Sequence, residues 1–179
     1  YKIDGYIIPK NDEYFSEYPE NDRLKNISNF SGSAGIAVIL KKKNYLFVDG
    51  RYTLQAEKES AKNFNIIQIH KKLPHTIIKN QNLGYDPRIF TSKNLNNYFL
   101  NNNLIPIDNN LIDQIIKFKE KTTKPFYSLK KNIVGELYNS KILNIKNYLK
   151  LNKADYLFVS APENVAWLLN IRGYDNPNS

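Results

Sequence analysis

At 179 residues the chain is long enough for one well-cored domain or two small ones, and 41% apolar with 24% charged residues excludes intrinsic disorder. A net charge of +9 would suit a nucleic acid or an anionic surface, but arginine occurs only at Arg23, Arg51, Arg88 and Arg172, and the lysines are scattered among Asn and Ile; this argues for compositional bias and against a phosphate-binding groove. No apolar run reaches membrane length, Tyr1 to Asp4 carries no secretory pattern and Cys is absent, so the expectation is a cytoplasmic chain with neither nucleic-acid nor membrane partners.

Ile3 to Pro9 is a short apolar run closed by proline, the pattern of a buried strand. After a Tyr-rich polar stretch, Asp22 precedes Leu24, Ile27 and Phe30, which reads as a short amphipathic helix with an Asp cap. Phe30-Ser31-Gly32-Ser33-Ala34-Gly35 gathers small residues around Gly32 and Gly35, where the chain can turn or be approached closely. Ile36 to Leu40 and Tyr45 to Val48, joined by Lys41-Lys42-Lys43-Asn44, predict a hairpin. Asp49-Gly50-Arg51-Tyr52 closes that hairpin and opens a helix through Leu54, Ala56, Ala61 and Phe64, followed by a strand over Asn65 to Ile69.

Beyond Pro74 strand and helix alternate: a strand at Leu83 to Tyr85, a helix over Ser92 to Leu100, a strand at Leu104 to Ile107 and a helix through Leu111, Ile112, Ile115 and Ile116. This rhythm predicts an α/β fold with a mixed sheet and flanking helices. Lys119 to Pro125 is charged and aperiodic, which makes residues 121–130 the expected linker between a first domain over 1–120 and the start of a second over 131–179. The second part predicts a helix through Ile133, Leu137, Ile142, Ile145 and Leu149, a strand at Ala154 to Val159 and a helix around Val165 to Leu169 that Arg172 and Gly173 terminate, the cation suiting the helix dipole.

An internal echo runs through this plan. Asp4 to Pro9 leading to Leu24, Ile27 and Gly32 is matched by Asp155 to Ser160 leading to Trp167 and Gly173: a strand, a polar turn, and a short helix ending at Gly. The first copy continues into a hairpin and the second stops, and no Met is present, so the chain is expected to be a fragment at both ends.

The chemistry-bearing residues are few. His70 and His75, spaced i, i+5 without a carboxylate-rich motif, form no metal site, so neither a metal nor any other cofactor is expected in this chain. Ser31 and Ser33 have no His or Asp at any hydrolase spacing, and no phosphate loop is present, so no catalytic residue is expected. Asp49-Gly50-Arg51-Tyr52 is the most informative constellation, and two readings stand. Gly50 sets a turn, Asp49 caps the following helix and Arg51 with Tyr52 projects into a neighbouring site; alternatively Asp49 merely caps and Arg51 pairs with a nearby carboxylate.

Four motifs in order carry a resemblance: Phe30 to Gly35, Asp49 to Ala56, Gly84-Tyr85-Asp86-Pro87, and Asn164 to Gly173. Together they resemble the N-terminal region of Xaa-Pro aminopeptidases (aminopeptidase P), in particular the three-domain cytosolic type. The resemblance implies a creatinase/prolidase N-terminal-like domain followed by the incomplete start of a second, similar one. It also implies a parent enzyme that releases an N-terminal residue before proline with two divalent metals, commonly manganese, held in a C-terminal domain absent from this chain. The N-terminal part then contributes to a homodimer and to the active-site mouth, is inactive alone, and offers Arg51 and Tyr52 as substrate-proximal candidates, with Arg172 a residue of the last structural motif. Lys117 to Lys121 and Pro162-Glu163 depart from the family pattern where the first domain ends and near the last motif. The competing expectation is a stand-alone peptide- or protein-binding module without peptidase activity.

Overall fold

The lysine-rich hairpin forms as its alternating apolar residues require, and the rest of the first unit is laid against it. The computed structural model describes residues 2–118 and 123–175. These divide into two units, residues 2–13 with 17–118 and residues 14–16 with 123–175. The expected domain boundary at residues 120 and 121 lies outside the described residues.

In chain order the first unit contains β1 (Gly5–Pro9), α1 (Arg23–Ser28), β2 (Gly35–Leu40), β3 (Asn44–Val48), a 3-10 turn over Gly50–Tyr52, α2 (Thr53–Ser60), β4 (Asn65–Gln68) and α3 (Pro74–Ile77). It continues with β5 (Asn82–Tyr85), a second 3-10 turn over Pro87–Ile89, α4 (Ser92–Phe99), β6 (Asn103–Pro106) and α5 (Leu111–Ile115). The six strands form one sheet in the order β4-β3-β2-β1-β5-β6. β2 is antiparallel to both β1 and β3, with Ile7 opposite Val38 and Ala37 opposite Leu46, whereas the β3–β4, β1–β5 and β5–β6 pairs are parallel. The sheet is therefore mixed, as the alternation predicts.

Successive residues of a strand face opposite sides, so each central strand feeds two cores. Tyr6, Ile8, Ala37, Leu46 and Val48 pack with Leu24, Phe30, Ala56 and Ile112 on one face. Ile7, Val38 and Phe47 pack with Ile78, Leu95 and Phe99 on the other. Two predicted inward residues face solvent instead: Leu54 is 73% exposed and Ile115 75%. In α2 the buried positions are Ala56 and Ser60, one turn apart, and Leu54 falls off that stripe.

Asp22 caps α1 by accepting the Lys25 amide at 2.9 Å, and the helix ends on Asn29 at φ 64°, ψ −1°. Gly32 and Gly35 are places of close approach: a Cβ on Gly32 would stand 2.3 Å from Phe30 Cζ, and one on Gly35 3.1 Å from Phe30 Cε1. At Gly50 nothing lies within 4 Å of such a Cβ and φ is not positive, so neither space nor backbone demands glycine there.

The second unit contains β7 (Phe126–Ser128), α6 (Tyr138–Leu151), α7 (Pro162–Leu169) and β8 (Ile171–Gly173). β7 lies inside the expected linker and pairs antiparallel with β8, Tyr127 opposite Arg172. Three other expectations are corrected here. The helix expected from Ile133 begins at Tyr138, past Gly135, a residue that costs helix propensity. Residues 154–159 are not assigned as a strand, because among the described residues none pairs with them; Tyr156 is 92% and Phe158 90% exposed. Arg172 is not in a helical last turn: α7 ends at Leu169 on Asn170 (φ 57°, ψ 42°), and Ile171–Gly173 is strand. The cation at that helix end is Lys141 of α6, which donates to Trp167 O at 2.6 Å and Asn170 Oδ1 at 2.7 Å.

Candidate functional site

Strands β1, β3, β4, β5 and β6 run in one direction, so the turns at their carboxyl ends gather at one end of the sheet. In open α/β sheets this is the end where ligands bind. Asp49, Arg51 and Tyr52 follow β3 there, His70 follows β4, and Asp86 and Arg88 follow β5.

Asp49 organises the first group. Its Oδ1 accepts the Arg51 amide at 2.9 Å and Arg51 Nε at 3.0 Å, and its Oδ2 stands 3.5 Å from His70 Nε2. The Arg51 amide, then its guanidinium, and least His70 hold the exposed Asp49 carboxyl down to about 2, against a slight opposing desolvation. Asp49 in turn raises the Arg51 guanidinium. Arg51 is 72% exposed along its side chain, its Cζ lies 5.4 Å from the Tyr52 ring centre, and among the described residues nothing hydrogen-bonds Nη1 or Nη2. Both readings of the turn are thus partly present: the guanidinium pairs through Nε with Asp49, and its outer edge faces solvent.

Tyr52 does not project with it. The ring meets buried Phe30 edge-on at 5.9 Å and 77°, and Oη lies 2.8 Å from Ser33 Oγ. The Phe30–Gly35 loop is tied to α2 a second time. Glu59 accepts Ser31 N and Ser31 Oγ, both at 2.8 Å, and Gln55 Nε2 donates to Ser31 Oγ at 2.8 Å. Desolvation pushes the Glu59 carboxyl up, but the Ser31 and Gln55 bonds outweigh it and leave the group below its ordinary value. Two motifs some twenty residues apart in sequence are therefore joined through Tyr52, Gln55 and Glu59.

Asp86, fully buried, accepts from Arg88 Nη2 at 2.7 Å and Asn110 Nδ2 at 3.0 Å. Burial raises this carboxyl, and the Arg88 and Asn110 bonds more than offset it, so the net shift is downward. Arg23, 6% exposed, bonds Asp113 through Nε and Nη2 at 2.7 and 2.8 Å and Glu13 at 2.8 Å. Sequence reasoning missed both networks. Asp86-Pro87 carries a local turn signal that points to the first, but nothing local joins Arg23 to Asp113, ninety positions away. In the second unit Arg172 Nη1 donates to Ile171 O at 2.7 Å, and Gly173 sits in β8 opposite Phe126.

The donor set does not suit a metal: among the described residues no three of His, Cys, Asp and Glu converge. His75 Nδ1 lies 3.0 Å from Asn97 O, apart from His70. No helix among the described residues is long and apolar enough to cross a membrane.

Comparison with known proteins follows the same division. Residues 1–115 match one family model described as creatinase/prolidase N-terminal domain, and residues 117–179 match a second with that description. The chain is 34% identical to Xaa-Pro aminopeptidase 1 of Dictyostelium discoideum, over 97% of this chain and 31% of that protein. It is 31% identical to a probable Xaa-Pro aminopeptidase P of Coprinopsis cinerea, over 97% of this chain and 30% of the relative. The crystal structure of an X-prolyl aminopeptidase from Caenorhabditis elegans, described as a cytosolic enzyme with a di-nuclear active site, superposes with TM-score 0.77 at 27% identity, over 98% of this chain and 31% of that one. The chain thus spans about three-tenths of the length of these relatives. From its two matched segments, its mixed six-stranded sheet and its motifs, the chain belongs to the creatinase/prolidase N-terminal domain family.

Proposed function

We propose that this chain is the N-terminal, non-catalytic portion of a metal-dependent Xaa-Pro aminopeptidase, with the hydrolytic centre on polypeptide outside these residues. The observation that carries this is the match of 97% of the chain to about three-tenths of Xaa-Pro aminopeptidases at 31–34% identity. The described residues bring together no metal donor set, and the C. elegans relative is described as di-nuclear. In this reading the metals of the parent enzyme, two divalent ions of the manganese type, lie in the remainder of the protein.

Within that enzyme, residues 1–120 act as the first N-terminal domain and are followed by the start of a second, to which β7, from the expected linker 121–130, belongs through its pairing with β8. They build a homodimer and narrow the active-site mouth. Arg51 is the substrate-proximal group, with Tyr52 beside it: its free guanidinium edge suits a peptide carboxylate, which arginine recognises through paired N–H donors. The absence of Cys and the cytosolic relative favour a cytoplasmic location.

The test uses the full-length gene product. Reconstituted with manganese it should release the residue before proline from an Xaa-Pro peptide, lose that activity to a chelator, and sediment as a dimer. Peptide binding without turnover by the full-length product would replace this function with a binding module.

A further inference from the structure

Arg51 is exposed, and a solvent-facing arginine ordinarily samples many rotamers. Here two groups restrain it. Asp49 takes Nε at 3.0 Å, and the Tyr52 ring lies 5.4 Å from Cζ. Asp49 is held by the turn it caps, but Tyr52 is held from outside that turn. Its ring is seated edge-on against Phe30 and its hydroxyl reaches Ser33.

The loop that carries Ser33 is held at several points on either side of it. Phe30 is fully buried, its ring fills the space a Gly32 side chain would need, Gly35 pairs with Val48 in the sheet, and Glu59 and Gln55 fasten Ser31. We propose that Ser33 is a positioning residue for Arg51, acting through the Tyr52 hydroxyl, so that the Phe30–Gly35 loop sets how the guanidinium edge is presented to the peptide. This rests on Arg51 being the substrate-proximal group. It adds the cause of that arginine's orientation and assigns the loop a role beyond closing a helix-to-strand junction.

Two measurements separate the positioning from the substrate role. The first is the ¹H–¹⁵N correlation of Arg51 Nε in the 179-residue chain. A restrained Nε–H exchanges slowly and resonates away from free arginine. Ser33→Ala and Tyr52→Phe should each shift it part of the way toward the free-arginine position, Asp49 still accepting Nε–H, Ser33→Thr should retain it, and the backbone spectrum should otherwise persist. Tyr52→Phe keeps the ring, so it reports even if Ser33→Ala perturbs folding. An Arg51 Nε signal unchanged in both hydroxyl-deleting variants overturns the proposal.

The second is steady-state kinetics of the full-length protein on an Xaa-Pro peptide. Arg51→Ala should raise KM about tenfold, the loss of one charge-assisted contact. Ser33→Ala should raise it about threefold with kcat unchanged, and add nothing in the Arg51→Ala background. If Arg51→Ala leaves KM unchanged, the substrate role of Arg51 falls while the spectroscopic result still decides the positioning. If Arg51→Ala acts and Ser33→Ala does not, the positioning falls alone.

Discussion

At the residue scale the turn after β3 shows how far local sequence reaches. Asp-Gly-Arg-Tyr predicts a cap and a turn because an Asp carboxylate accepts amides two residues on, and it does. What the four residues could not show is that Tyr52 turns inward to Ser33, since that contact depends on where another loop passes. The Asp49 carboxyl titrates at about 2 in the folded chain, below its ordinary 3.8. Folding therefore favours the ionised form, so this contribution to stability is complete above about pH 4 and lost as pH falls through about 2. Carboxyl-carbon NMR should give that midpoint. In Arg51→Ala the midpoint should rise yet stay below 3.8, because the backbone amide, the larger cause, remains; an unchanged midpoint would remove Arg51 as a partner. At Gly32 the prediction is steric. A methyl group there meets a buried ring that cannot withdraw, so Gly32→Ala should cost about 1–3 kcal/mol in denaturant unfolding, and a neutral result would contradict the packing.

At the scale of elements, the six strands and most helices of the first unit were legible from alternation and caps with boundaries shifted by one or two residues, but α2 ends at Ser60, four residues before the expected Phe64, and the short α3 was not foreseen. Of the internal echo only the helix half recurs, since residues 154–159 are not a strand, and its endpoint is sharper than a terminal glycine. Both α1 and α7 stop on an asparagine in the left-handed region, Asn29 and Asn170, three residues before Gly32 and Gly173. The two caps differ in what hangs on them. Asn29 is exposed and contributes its backbone, whereas buried Asn170 also accepts from Lys141 and donates to Glu136 O at 3.0 Å. Asn29→Gly should leave stability unchanged within about 0.5 kcal/mol, while Asn170→Gly should lose about 2 kcal/mol by removing one of the two oxygen partners of a buried ammonium and the bond to Glu136 O. Equal effects in thermal unfolding would deny the distinction. The echo also predicts strands from apolar runs alone, and pairing is a long-range matter. Gly5 and Tyr6 of β1 are paired with both β2 and β5 and should be among the slowest amides to exchange, whereas the amides of residues 155–159 should exchange freely. Protection across 155–159 would mean that those residues are paired.

At the scale of the whole molecule, the sequence showed the fold class because each central strand alternates apolar residues into two cores, and it pointed to the family through motifs spread along the chain. The ion networks were illegible for the opposite reason. Arg23 with Glu13 and Asp113, and Asp86 with Asn110, join residues that only the closed sheet brings together. Arg51, restrained by Asp49 and Tyr52, presents its outer guanidinium edge to solvent, and no group among the described residues is arranged to perform hydrolysis. The most direct test of that division of labour is the rate at which purified residues 1–179 release the residue before proline from an Xaa-Pro peptide with manganese added. No turnover above the buffer rate is predicted; chelator-sensitive release by this chain alone would contradict it.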